Sequence, residues 1–217
     1  MRQAQIVFAA VMVGSVLMAA PEAQAARCTK YRIASDSTTT SAYDPSTGAS
    51  GPAQNVCLNA SSPAGCPAGA TLYGYPGPGW PVNLGTIPGA HWIWGPGISG
   101  GTSPAEGDSF TFYQYLNVPV GGIYAYLFVS ADDYAEIWIN GAYVGSVGST
   151  VDVYQASYAQ TWLSYFYIAP YLYAGYTNVL EVVGVNGPGS FAGCTDCSYR
   201  QNPAGVVFGG EVYYGCT

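Results

Sequence analysis

The stretch Ala131 to Gly145 reads A-D-D-Y-A-E-I-W-I-N-G-A-Y-V-G, with alternating apolar positions that run into an Asn-Gly pair and out again. Asn140 and Gly141 both tolerate the positive φ of a two-residue type I′ turn, whose twist matches that of the strands it joins. The pattern predicts a β-hairpin. Upstream, Ile123 to Val129 alternates in the same way, so three consecutive strands are expected. Period two also assigns faces. Ala125, Leu127 and Val129 point inward with Ala135, Ile137 and Ile139, which sends Tyr124, Tyr126, Phe128, Tyr134, Glu136 and Trp138 to the other side; in the same way Leu180 and Val182 suit the core while Val179, Val183 and Val185 point away. Taken as adjacent strands, these place Tyr124, Tyr126, Phe128 and Trp138 in one aromatic patch, which soluble monomers rarely leave uncovered. The expected cover is the chain's own N-terminal loops, a sugar polymer or a neighbouring subunit.

Further strands follow on either side, at His91 to Trp94, Phe110 to Val118, Ala142 to Val147, Leu163 to Ile168, Val179 to Val185 and Gly205 to Tyr213. Many short strands with turn punctuation predict an all-β fold, an antiparallel β-sandwich. Residues 26–87 are rich in Ser, Thr, Gly, Pro and Ala and alternate only at Lys30 to Ile33 and Thr71 to Tyr75. They read as long loops around one or two strands, followed by a sandwich over residues 88–217, the two together forming one structural domain. No helix is expected beyond a turn around Pro170 to Tyr173.

Several segments carry a resemblance. Pro88 to Trp94 reads P-G-A-H-W-I-W, and Ser109 to Pro119 reads S-F-T-F-Y-Q-Y-L-N-V-P. After the hairpin come Y-I-A-P-Y-L-Y-A-G-Y-T-N-V-L-E-V, Tyr167 to Val182, and N-P-A-G-V-V-F-G-G-E-V, Asn202 to Val212. In that order, these segments resemble the galactose-binding-domain-like jelly rolls found as carbohydrate-binding modules and accessory domains of secreted bacterial proteins. The resemblance covers roughly Pro88 to Tyr214. It implies a jelly-roll sandwich in which the Asp132-Asp133 pair belongs to the fold signature.

Residues 1–25 combine Arg2, an apolar run from Ile6 to Ala20 and the small-residue site Ala23-Gln24-Ala25, the pattern of a secretory signal peptide. Its removal takes one basic and one acidic residue, Arg2 and Glu22, and so leaves the net charge at −7. That charge argues against nucleic acid as a partner. No second stretch serves as a membrane helix, so the mature chain is expected to be exported and to lie outside the cell or at its surface. Charged residues make up 8% of the chain while tyrosine alone numbers 20, so tyrosine fills surface that charge usually occupies. The six cysteines Cys28, Cys57, Cys66, Cys194, Cys197 and Cys216 are an even number in an exported chain and predict three disulfides. Cys57 with Cys66 is the favoured pair. Cys194 and Cys197 are expected in a structural disulfide, local or to Cys28 or Cys216, since the C-T-D-C run lacks a thioredoxin-like context or further zinc ligands.

Catalysis finds little support. The single histidine, His91, has no Ser or Cys motif to activate, and Asp132, Asp133 and Glu136 read better as turn-shaping residues than as a glycosidase acid pair. Asp132, Asp133, Asn140 and Gly141 are therefore assigned to turns. Sugar rings stack their C–H faces on aromatic side chains, which makes Trp92, Trp94, Tyr134 and Trp138 the candidate ligand contacts. Jelly rolls of the resembled type often hold a structural calcium ion. Glu106, Asp108, Asp152, Asp196 and Glu211 are scattered candidates, but no spacing selects a set, and no metal ligand or cofactor is assigned. The resulting expectation is an exported, non-catalytic protein that binds extracellular glycans. The rival is a structural subunit of an extracellular filament, pilus or surface layer, joined to identical subunits by β-strand addition, and an enzyme is a distant third.

Overall fold

The computed structural model describes residues 28–59, 66–103, 105–121 and 123–215. The leader expected over residues 1–25 and the Cys216 thiol lie outside them. The chain forms thirteen strands among the described residues, β1 (Thr29–Ala34), β2 (Ser41–Tyr43), β3 (Ser50–Pro52), β4 (Gln54–Asn59), β5 (Thr71–Tyr75), β6 (Ile93–Trp94) and β7 (Ser109–Val118), then β8 (Ile123–Asp132), β9 (Tyr134–Ile139), β10 (Ala142–Gly148), β11 (Ser164–Tyr167), β12 (Tyr176–Val185) and β13 (Gly205–Tyr214). Helix α1 (Val153–Ala159) follows β10. The 3-10 turn at Ala169–Tyr171 falls where a turn is expected.

Two sheets pack as a sandwich and neither closes into a barrel. One runs β11-β8-β13-β6-β4-β5, with β1 also paired to β13; the other runs β10-β9-β12-β7-β2-β3. All pairs are antiparallel except β4 with β5. Between the sheets lie the residues that period two sends inward, and Ala125, Leu127, Val129, Ala135, Ile137, Ile139, Leu180 and Val182 are all fully buried. Each buried Leu or Ile of this kind contributes about 1.5–3 kcal/mol through removal from water.

The hairpin joins β9 to β10. Asn140 and Gly141 have φ of 52° and 77°, the left-handed values that a type I′ turn requires. The Asn140 side chain also ties the turn to β12, since its Oδ1 accepts from the Val179 backbone N–H at 3.0 Å and its Nδ2 donates to the Tyr171 carbonyl at 2.8 Å.

Three expectations are corrected. β8 and β9 are not neighbours: β8 lies between β11 and β13 while β9 lies between β10 and β12, and the chain changes sheet at Asp133. Tyr124, Tyr126 and Phe128 therefore occupy the outer face of one sheet, and Trp138 that of the other. Second, the N-terminal segment holds more than one or two strands. It contributes β1, β4 and β5 to one sheet and β2 and β3 to the other. Instead of covering the aromatic face it extends the sheets, and Tyr124, Tyr165 and Tyr167 remain exposed. Third, α1 is a true helix. Asp152 caps it by accepting from the backbone N–H groups of Tyr154 and Gln155, and Gln155 Nε2 donates to the same carboxylate at 3.3 Å. Its buried face is Ala156 and Ala159, and Ser130 Oγ of β8 donates to the Ala159 carbonyl at 2.5 Å, which seats the helix over the end of that strand.

Two disulfides are defined among the described residues, Cys57–Cys66 and Cys194–Cys197. Cys28 is disulfide-bonded as well. Disulfides persist in oxidising compartments, and these indicate an extracellular setting. Among the described residues no helix is long and apolar enough to cross a membrane.

Candidate functional site

Where the chain changes sheet, a cleft of about 400 Å³ opens. Its floor is the Asp132-Asp133 pair, whose connecting peptide is cis. One wall is the loop Tyr75-Pro76-Gly77-Pro78-Gly79-Trp80-Pro81, where alternating Pro and Gly deny the chain a ladder and leave a Trp at the rim. The end of α1 supplies Ser157, Gln160 and Thr161, and the loop before β13 supplies Gln201 and Asn202.

The carboxylates are held by neutral donors. Trp80 Nε1 donates to Asp132 Oδ2 at 2.7 Å, and Gln160 Nε2 donates to Asp132 Oδ1 at 2.5 Å and reaches Asp133 Oδ1 at 3.5 Å. The Gly187 backbone N–H donates to Asp133 Oδ2 at 2.8 Å. A Cβ at Gly187 would stand 2.5 Å from that oxygen, so only glycine allows the approach. Neither carboxylate forms an ion pair among the described residues. Burial, and then the charge of Asp133 beside it, holds the Asp132 carboxyl well above the usual carboxylate range. Burial also raises Asp133, against the Gly187 donor. The pair thus retains protons at pH values where surface carboxyls have lost them, and both residues line the cleft. Their oxygens are what a hard cation takes, but such an ion needs 6–8 of them, and among the described residues no third acidic, His or Cys side chain completes a cluster.

An aromatic stack stiffens the site from beneath. Trp80 lies flat on Trp92 with ring centroids 4.2 Å apart, Tyr73 stacks on Tyr199 at 5.3 Å, and Trp94 Nε1 donates to the Tyr199 hydroxyl at 2.8 Å. Tyr199 in turn donates to Asp108 Oδ2 at 2.7 Å. This is where the structure places Trp92 and Trp94. At 6% and 0% exposure they offer no ring face to a ligand and act as scaffold, a correction of their expected role.

Tyr134 and Trp138 lie elsewhere, on the outer face of the other sheet. Both donate to Glu136, at 2.9 and 3.1 Å, and Trp138 packs edge-on against Tyr143 at 5.1 Å. The four expected ligand contacts are therefore not brought together. The expectation for Asp132 and Asp133 is that they end one strand and shape the turn into the next. They sit instead at a change of sheet, and their side chains bind distant loops.

The scattered acidic residues are each engaged separately or stand apart. Glu106 accepts from the Cys197 N–H, Asp108 from Tyr199, Asp152 caps α1, and Glu211 pairs with Lys30. Asp196 occupies a left-handed backbone position with φ 51°. His91 Nε2 stands 3.7 Å from Asp36 Oδ2. Sequence reasoning missed Trp80 and Gln160. A Trp set in a Pro-Gly loop was a legible sign of a rim aromatic, whereas nothing in the pattern singled out Gln160.

No protein-family model matches the sequence, and no curated protein matches it. Among solved structures, the neighbours are glycoside hydrolase chains. An α-L-rhamnosidase from Streptomyces avermitilis aligns at 20% identity and a TM-score of 0.38, over 56% of this chain and 10% of that enzyme. A β-glucuronidase from Bacteroides uniformis aligns at 22% and 0.33, over 48% of this chain and 12% of the enzyme. One from Ruminococcus gnavus aligns at 13% and 0.35, over 51% and 20%. This chain thus spans about a tenth to a fifth of their lengths, and at these scores the likeness carries no statement about activity.

Proposed function

We propose that this is an exported, non-catalytic protein whose galactose-binding-like sandwich takes an extracellular glycan into the Asp132-Asp133 cleft. The observation that carries the reading is a concave site combining buried carboxyl groups, side-chain amides from Gln160, Gln201 and Asn202, and the rings of Tyr75 and Trp80. Sugar hydroxyls exchange hydrogen bonds with carboxyl and amide groups while their C–H faces pack on rings.

Glycan-array screening of the secreted protein, followed by calorimetry on the best sugar, tests this. Gln160→Ala and Tyr75→Ala should each weaken binding at least tenfold while thermal unfolding stays cooperative. An array without binders, or affinity untouched by both variants, would remove the cleft from consideration.

A second reading, a subunit of an extracellular filament, is favoured by strands at the sheet ends that have a single hydrogen-bonded neighbour among the described residues, β10 and β11 among them, since such edges suit strand addition. Light scattering of the mature protein separates the two, since a filament subunit forms ordered polymers and a glycan-binding module stays monomeric.

A further inference from the structure

A second surface, separate from the cleft, lies on the outer face of the sheet that contains β8. Register places its side chains in rows across four strands. Lys30 of β1 sits opposite Tyr213 of β13, which sits opposite Tyr124 of β8. In the next row Arg32 faces Glu211, which faces Tyr126, which faces Tyr167 of β11. Beyond it, Phe128 faces Tyr165. Residues directly opposite one another share a face, so one edge of this surface is basic and the rest is aromatic. Four strands span roughly 14 Å at the usual spacing.

The rings form a continuous pavement. Tyr124 lies 5.8 Å from Tyr213 and 5.6 Å from Tyr167 between centroids, and Tyr126 stacks on Tyr165 at 6.1 Å. Tyr124, Tyr165 and Tyr167 are 37–51% exposed, so the ring surface is open. The charge is unusual for this chain. Of five Lys and Arg in a sequence with twelve Asp and Glu, two stand here with half-exposed side chains. Glu211, the carboxylate in these rows, is tucked inward and already spent. It accepts from Lys30 at 2.8 Å and from the hydroxyls of Tyr126 and Tyr213, and Arg32 lies 3.9 Å away. Two outward cations against one shielded anion make a locally positive spot on a protein of net charge −7.

We infer that this face binds an acidic polysaccharide, with sugar rings lying on the tyrosines and carboxylate or sulfate groups meeting Arg32 and Lys30. Tyrosine supplies rigid ring area at low entropy cost along with hydroxyls for sugar oxygens, and guanidinium is the cation best shaped for a planar carboxylate. The surface is distinct from the cleft. Asp132 projects to the same side of β8, but α1, seated on Ser130, separates it from Phe128.

The test uses the full mature chain and two probes, polygalacturonate and heparin, with uncharged dextran for comparison, in affinity electrophoresis at low and high salt. The expected result is retardation by an acidic polymer that weakens with salt and falls at least tenfold in Arg32→Gln and in Tyr165→Ser. Gln160→Ala should leave it unchanged, and this separates failure here from failure of the cleft. Retardation by neither acidic polymer overturns the inference, as does equal retardation of the wild type and both face variants. Loss in Gln160→Ala alone would move acidic-glycan binding to the cleft. Concentration-dependent self-association abolished by Tyr165→Ser would assign the face to a second copy.

Discussion

At the scale of single residues, the buried Asp132-Asp133 pair governs how stability responds to pH. A carboxyl whose folded pKa lies above its unfolded value of about 4 binds its proton more tightly when folded, so its ionisation opposes the fold. Asp132, Asp133 and Asp108 are all raised, chiefly by burial. Their effect makes stability fall as pH rises from about 4 through their folded values. Asp36, Asp44 and Glu211 work in the other direction. Burial opposes ionisation of Asp36 and Glu211, but donors from Thr38 and Lys30 outweigh it, and donors from Ser46 lower the exposed Asp44. Their stabilisation is present above about 4 and is lost below it, weakly where the group is exposed. The melting temperature is therefore expected to peak at mildly acidic pH and to decline toward neutrality. Scanning fluorimetry from acid to neutral pH checks this, and a melting temperature that climbs steadily to pH 7 would contradict it.

At the scale of elements, the hairpin and the helix show two kinds of local signal. A Cβ at Gly141 meets nothing within 4 Å, so Gly141→Val acts through its φ of 77° alone. Strain of this kind costs about 1–3 kcal/mol, measurable as a lower urea midpoint with unchanged slope. The hairpin was legible because an Asn-Gly turn and period-two alternation are both local in sequence. Helix α1 was not, because seven residues are too few to show a period, and exposed Tyr154 and Tyr158 blur what period there is. Its readable mark was the N-cap residue Asp152. Asp152→Ala is expected to destabilise the protein by about 1 kcal/mol and to loosen Gln160, at the other end of the helix, from its carboxyl partners. Reduced glycan affinity together with a small fall in melting temperature would show that coupling. Strands β2 and β3 went unread because each is only three residues long, and β4 because Val56 and Leu58 are its only alternating apolar pair among Gln and Asn. The ladders to β7 and β6 hold β2 and β4 extended, and β3 pairs with β2.

At the scale of the molecule, cross-links and sheet order fix the arrangement. No free cysteine occurs among the described residues, so mass spectrometry of alkylated secreted protein should find no modified thiol. Two or more alkylated cysteines in folded material would break the disulfide assignment. Leu127→Ala, in the buried middle of β8, should cost about 2–5 kcal/mol, since a sandwich core closes poorly around a cavity. What the sequence determined by itself was local: which segments extend, where Asn140 and Gly141 turn, and which side chains of β8, β9 and β12 enter the core. Alternation and turn chemistry are written within a few residues, so they need no partner to be read. Which sheet each strand joins was decided only by the tertiary structure. Strand pairing depends on the packing of every other strand, and one residue, Asp133, sufficed to send β9 away from β8. That same change of sheet places the Asp132-Asp133 pair beneath Trp80 and Gln160. The cleft is built from segments 28 and 52 residues apart along the chain, and no local pattern joins them.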